Sequence, residues 1–456
     1  MNFKPFCGVI CALALLGCSE KTQSVALKPD SDALESQVLS MKDRAQFIDD
    51  MTAQRVQTLL PSLMKKTGID AWLLISREYN EDPILKTFLP ATWLSARRTT
   101  IFLFVLEDSG QLQAYAVAPY NVGSVFTKAW DKSTQDDQWQ ALVSLLKQHN
   151  PEKIGINQSQ IWAHADGLVV TDFEQLKQAL PKDMENKLVS SEPLAIAWLE
   201  QRIKPEVEQY KDIVALAHAI IAEGFSNKVV TPGVTTTDDI AWWYRERVRE
   251  LKLQAWFHPS VSIQRADNQA FDHETTFTNK DTDNVVRPGD LLHVDFGITY
   301  LRLNTDTQQH AYVLKQGETS APDYLNEALS KANQLQDIFT DLFAEGVTGN
   351  EILAKARSEA IAQGLKPTIY THPIGFHGHG AGTTLGMWDA QQGVPGDGDY
   401  PLHLNTAYSI ELNNAVYLKE WGKEIRIMLE EDAFFDESGV WYLNGRQTSF
   451  HLIKSN

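Results

Sequence analysis

Two acids in an apolar setting constrain this chain more than any other feature. The run Leu291-Leu292-His293-Val294-Asp295-Phe296 reads as a buried strand with a carboxylate inside it. Asp is a poor strand residue. Asp306 follows eleven residues later, and the stretch between them reads as a hairpin whose two strands each carry one acid. Burying a lone carboxylate costs several kcal/mol unless it is paired or bound to a cation. The chain must therefore supply a compensating charge near Asp295 and Asp306, or take one up.

The body of the chain can afford such a buried site. Its 456 residues are enough for two or three domains with substantial cores. A net charge of −18 argues against nucleic acid or anionic lipid headgroups as partners. The first 18 residues stand apart from the rest. Lys4 gives a positive start, Phe6 to Leu16 form an apolar stretch too short to span a bilayer, and Leu15-Leu16-Gly17-Cys18 meets polar Ser19-Glu20-Lys21. This resembles a bacterial lipoprotein signal, which implies cleavage before Cys18 and lipidation of that residue. A plain secretory signal with an incidental Cys is the alternative. Cys7, Cys11 and Cys18 are the only cysteines, so the exported body would have no disulfide framework. Ser19, by the same resemblance, favours the outer membrane, with the protein facing the periplasm. The lipid would be the chain's only membrane attachment.

Residues 19–42 are polar without a clear apolar period and read as a tether. Residues 43–199 read as an α/β domain. Helical spacing over Ala45 to Lys66 is followed by strands at Ala71–Ile75, Thr99–Leu106 and Leu112–Val117, a helix at Gln138–Gln148 and a strand at Lys153–Asn157. This part shows neither a His cluster nor a phosphate-binding loop. Residues 200–456 form the second domain, opening on an amphipathic helix from Glu206 to Val229. Gly233-Val234-Thr235-Thr236-Thr237-Asp238-Asp239-Ile240 then starts another helix. Gly346-Val347-Thr348-Gly349-Asn350-Glu351-Ile352, after a helix at Tyr324–Phe343, repeats the phrase. The expectation is an α+β domain with an internal pseudo-twofold repeat and a site between its halves; reuse of a common helix-start signal is the alternative.

Three later stretches could share a cation with the two aspartates. Tyr370 to Gly380 contains His372, His377 and His379 among glycines, which let the backbone approach a ligand closely. Glu411 sits within the strand-like Ser409-Ile410-Glu411-Leu412-Asn413, and Glu430-Glu431-Asp432 ends the apolar run Ile427-Met428-Leu429. Singly, each reads more simply as structure. Together they form a set of Asp, Asp, His, Glu and Glu on or beside strands. Four carboxylates and a neutral imidazole carry four negative charges, which two divalent ions balance. Such oxygen-rich ligation suits manganese first, with cobalt, iron or zinc as alternatives, in a catalytic rather than structural role. Paired metals activate water and polarise a carbonyl, so the chemistry implied is hydrolysis.

The segment Arg287-Pro288-Gly289-Asp290-Leu291-Leu292-His293-Val294-Asp295-Phe296-Gly297, with Asp306, resembles the pita-bread metallopeptidases, a family that includes methionine aminopeptidase, aminopeptidase P, prolidase and creatinase. The likeness covers roughly residues 200 to 450. The preceding domain resembles the creatinase-type N-terminal domain. The resemblance makes Asp295, Asp306, His372, Glu411 and Glu430 the metal ligands, with Glu411 also moving protons. His372-Pro373-Ile374-Gly375-Phe376-His377-Gly378-His379 matches the family's His-x-x-Gly-x-x-x-His, which makes His379 substrate-facing. Gly378-His379-Gly380-Ala381-Gly382 offers a rival register in which His379 is the ligand, and Glu431 is the alternative to Glu430. His273 falls where the family places a His that stabilises the tetrahedral intermediate.

Two departures stand out. Glu411-Leu412-Asn413 replaces the usual Glu-Pro-Gly, and Met428-Leu429 precedes the last acids. Thr383 to Leu402 looks like an insert that could serve as a pocket wall, a lid or a plain loop. The resemblance implies a small-peptide hydrolase of the Xaa-Pro aminopeptidase or dipeptidase kind, in which a homodimer remains an open option. A creatinase-like action on a non-peptide amide, or a surface-anchored binding protein without turnover, are the alternatives.

Overall fold

The computed structural model describes residues 31–269 and 284–455. The candidate lipid-bearing Cys18 and the candidate catalytic His273 lie outside the described residues. No helix among the described residues is long and apolar enough to cross a membrane.

The first body is a six-stranded mixed sheet in the order β4-β3-β2-β1-β5-β6. Its strands are β1 (Ala71–Arg77), β2 (Thr99–Leu106), β3 (Leu112–Ala116), β4 (Thr127–Lys128), β5 (Ile154–Ile156) and β6 (Leu188–Ser190). Central β1 is buried on both faces, which is why its sequence is an unbroken apolar run. Trp72 and Leu74 face one core with Phe102 and Phe104; Leu73 and Ile75 face the other with Ile101 and Leu103. The helix expected over Ala45–Lys66 is two helices, Met41–Thr58 and Leu60–Thr67. Pro61, in the first turn of the second, has no N–H to continue the ladder, and that position tolerates it. The segment expected to be a tether is folded at its end. Ser31–Ser36 is a short helix, Leu34 is buried in the core of the second body, and the Leu39 N–H donates to Tyr300 Oη at 2.8 Å.

The second body contains β7 (Ser260–Gln264), β8 (Leu291–Phe296), β9 (Thr299–Tyr300), β10 (Leu303–Asn304), β11 (Thr307–Val313), β12 (Pro367–Ile369), β13 (His372–Pro373), β14 (Thr406–Leu418), β15 (Lys423–Asp436), β16 (Gly439–Tyr442) and β17 (His451–Ile453). Its large sheet runs β12-β14-β15-β11-β8-β7, with β13 on β14, β16 on β15 and β17 on β11. The helices Lys204–Gly224, Thr237–Glu250, Asp323–Thr340 and Gly349–Ala362 accompany it. The two repeated phrases start their helices with matching geometry. Thr236 and Asp239 form a capping box, as do Thr348 and Glu351. The turn glycines before them, Gly233 and Gly346, have φ of 84° and 81°.

The acid-bearing hairpin is more elaborate than its spacing predicts. β8 pairs with β11, and a second small hairpin, β9–β10, is inserted at its end. Leu301 and Arg302 turn it with φ of 53° and 68°. Arg302 then donates to Thr87 O at 3.1 Å and Leu89 O at 2.7 Å on the first body. A buried ionic knot lies beside this junction. Glu206 accepts from Arg55 and from Arg202, and Phe376 of the His-rich loop lies 5.0 Å and 4.5 Å from the two guanidinium carbons.

Candidate metal centre

Strand register builds the site. Cross-strand partners point to the same face of a sheet, and residues two apart on a strand share that face. Asp295 is opposite Gln308, Gln308 opposite Glu430, and Glu430 opposite Glu411. One row across four strands therefore carries three acids and an amide. The next row holds Asp306, two residues before Gln308, with Asp432 opposite Ser409 and Ser409 opposite His372. All five residues proposed from the sequence as ligands thus meet on one face.

The distances agree with that placement. His372 Nε2 is 3.5 Å from Glu430 Oε1, 3.8 Å from Asp306 Oδ2 and 4.0 Å from Glu411 Oε2. Its Nδ1 donates to Pro373 O at 3.0 Å, which leaves the Nε2 lone pair facing the acids. His379 packs edge-on against the His372 ring at 4.8 Å and is exposed. With Asp306 and His372 it forms one group of potential ligand atoms within 4.8 Å of one another, but it does not join the His372–Glu411–Glu430 group. Geometry therefore favours His372 as the inward imidazole and sets His379 at the rim. Glu431 points to the opposite face, where it accepts from Gln309 Nε2 at 3.1 Å and the Gln447 N–H at 2.8 Å, with His218 Nε2 at 2.8 Å. Strand alternation thus turns Glu430, not Glu431, to the site. His377 leaves the site and packs against His164 of the first body at 4.5 Å.

Several contributors were not singled out from the sequence. Asp432 is fully buried and receives the Asp306 N–H at 3.2 and 3.3 Å. Ser409 donates to Glu430 Oε1 at 2.7 Å. Trp256 donates to Thr305 O at 2.9 Å, and its ring lies against Gly378 so closely that a Cβ there would collide. It ties the His-rich loop to the aspartate hairpin. Period-two counting from Asp306 and Glu411 could have found Gln308 and Ser409. Trp256 carried no local signal. Thr383–Leu402 is a loop held to the helix Gly349–Ala362. Asn350 bonds Val394 N and O at 2.7 and 3.1 Å and Asp399 at 2.8 Å.

The site demands positive charge. Burial, then the nearby Glu430, pushes Asp295 well above the usual carboxylate range. Burial followed by Glu430, Asp295 and other acids does the same to Asp306, and burial followed by Glu430 and Asp295 to Glu411. Among the described residues, Asp306, Glu411 and Glu430 lie within 4.0 Å of His372 Nε2, and no lysine or arginine pairs with them or with Asp295. Asp306 Oδ1 and His372 Nε2 are buried without a hydrogen-bond partner. Buried, unpaired donor atoms in an oxygen-rich set with one imidazole fit divalent metal ions. They do not fit a structural zinc, whose usual thiolates the body lacks.

An acid cage with one inward imidazole and a partly open carboxylate, Glu411, offers the donor set that divalent metal ions take. Residues 208–433 match the sequence profile of metallopeptidase family M24. Solved structures agree in fold. An X-Pro aminopeptidase from Thermotoga maritima is 19% identical, with a TM-score of 0.59 over 86% of this chain and 99% of its own. A putative aminopeptidase P from Bacillus anthracis is 11% identical, with a TM-score of 0.60 over 87% and 94%. An Xaa-Pro dipeptidase from Bacillus anthracis is 16% identical, with a TM-score of 0.53 over 91% and 100%. At these identities the likeness is one of fold. No curated protein sequence gives a significant match.

Proposed function

We propose that this chain hydrolyses amide bonds in small peptides, with two divalent ions, manganese first, held by Asp295, Asp306, His372, Glu411 and Glu430. The observation that carries the reading is the convergence of four carboxylates, two buried and two half-buried, with His372 Nε2 on one sheet face, without a lysine or arginine partner among the described residues. Bound divalent ions supply acidified water and a polarised carbonyl. Glu411, the more open of the facing pair Glu411 and Glu430, takes a proton from the attacking water and returns it to the leaving nitrogen. His379 at the rim, or His273, stabilises charge on the carbonyl oxygen. A proline after the scissile bond is the first preference to test, because the solved structures that share this fold include an X-Pro aminopeptidase and an Xaa-Pro dipeptidase.

The test is metal analysis after reconstitution, followed by a panel of Xaa-Pro dipeptides and tripeptides beside non-proline controls. Loading with two ions and proline-dependent cleavage are expected. Absence of bound metal sinks the reading, and metal without peptide cleavage removes the peptidase. Lipid attachment at Cys18, with the body in the periplasm at the outer membrane, belongs to the same proposal and rests on the Leu-Leu-Gly-Cys sequence alone.

A further inference from the structure

The centre of the acid row is not an acid. Gln308 occupies the position between Asp295 and Glu430, and its Nε2 donates to both Glu411 and Glu430, the latter at 2.7 Å. Those two glutamates are direct cross-strand partners on β14 and β15. Like charges placed opposite each other repel. A primary amide has two N–H groups, so one side chain can satisfy an oxygen of each acid. That works only in one orientation. Turned over, the amide would present its carbonyl oxygen to two carboxylates.

The orientation is held from the next row. His293 Nε2 lies 2.9 Å from Gln308 Oε1, and the amide oxygen can only accept, so this nitrogen carries the proton. The other ring nitrogen, Nδ1, is then an acceptor, and Ser262 Oγ lies 3.5 Å from it. Gln308 and His293 are 4% and 6% exposed, so water does not substitute for these contacts. The relay runs from Ser262 on β7 through His293 on β8 and Gln308 on β11 to the glutamates on β14 and β15.

We propose that Gln308, oriented by His293, is a positioning residue that presets Glu411 and Glu430 for divalent ions and thereby sets the metal affinity of the site. The inference rests on the proposed metal centre. Partners behind the direct ligands orient them, and their loss weakens metal binding by about 10–100-fold.

The experiment is calorimetric titration of chelator-stripped full-length protein with Mn²⁺. Wild type is compared with Gln308→Leu, His293→Phe and His293→Gln, with folding checked by circular dichroism. Gln308→Leu and His293→Phe should each weaken Mn²⁺ binding by about 10–100-fold. His293→Gln can still donate to the amide oxygen and should recover most of that loss. His293→Phe keeps the ring volume and carries the test if Gln308→Leu does not fold. Folded variants that bind Mn²⁺ as tightly as wild type, even with a lowered melting point, overturn the positioning role and leave the metal centre standing. Wild type that binds no Mn²⁺ overturns both.

Discussion

Replacing Glu206 by Gln should be among the most damaging single changes outside the metal centre. Glu206 is the lone carboxylate between Arg55 and Arg202, and all three residues are at most 3% exposed. Burial lowers Arg55 from 12.5 to about 10, with Glu206 opposing that shift and Arg202 adding to it. A fall of about 2.5 units corresponds to about 3 kcal/mol against the charged form even with Glu206 in place. Removing the carboxylate leaves two buried guanidinium groups facing each other without their shared ion-pair partner, so a loss of about 3–5 kcal/mol is expected. Urea unfolding followed by circular dichroism measures it, with the m value checked against wild type. Adding Arg55→Met to Glu206→Gln removes one of the two stranded cations. The double variant should therefore lose at least about 1 kcal/mol less than the sum of the single losses. A Glu206→Gln loss below about 1 kcal/mol, or strict additivity in the double variant, would refute the argument.

Further outcomes follow from the site and its supports. His372→Ala should lose bound metal and activity, whereas His379→Ala should keep metal and lose turnover; equal metal loss by both leaves the inward imidazole unassigned. Asp295→Asn should abolish both metal loading and hydrolysis, and surviving activity contradicts its place in the site. His310 is held neutral, with Nδ1 donating to Leu292 O at 3.0 Å and Nε2 accepting the Met428 N–H at 3.0 Å; burial lowers it from 6.5 to about 4. Its folded value lies below its unfolded one, so its contribution is complete above pH 6.5 and is lost as pH falls toward 4, by about 3 kcal/mol. The difference in unfolding free energy between wild type and His310→Gln should shrink over that interval, and a flat difference contradicts it. Cys18→Ser should release the protein from the membrane fraction of the native host, and unchanged partitioning removes the lipid anchor.

The sequence alone was enough to point to a compensating charge beside the two aspartates. Asp295 in an apolar strand signals an unpaid electrostatic cost, and no contact had to be known to see it. Most elements were also legible, because strand and helix periods are local. Ala71–Ile75 reads as a strand, and the Thr236 and Thr348 caps announce their helices. The choice of Glu430 over Glu431 was different. Both are acids at the end of one apolar run, and only the register against Glu411 and Gln308 shows which faces the site. His372 and His379 were likewise interchangeable as letters until pairing with Ser409 fixed one ring inward.

Gln308 and the Arg55–Glu206–Arg202 knot were illegible for a related reason. Glutamine, arginine and glutamate are ordinary surface residues, and the glutamate partners of Gln308 and Arg55 lie more than 100 positions away. Charge and hydropathy belong to the residue and can be read from its name. The direction a side chain takes, and what it meets there, belongs to the register of strands brought together from distant parts of the chain.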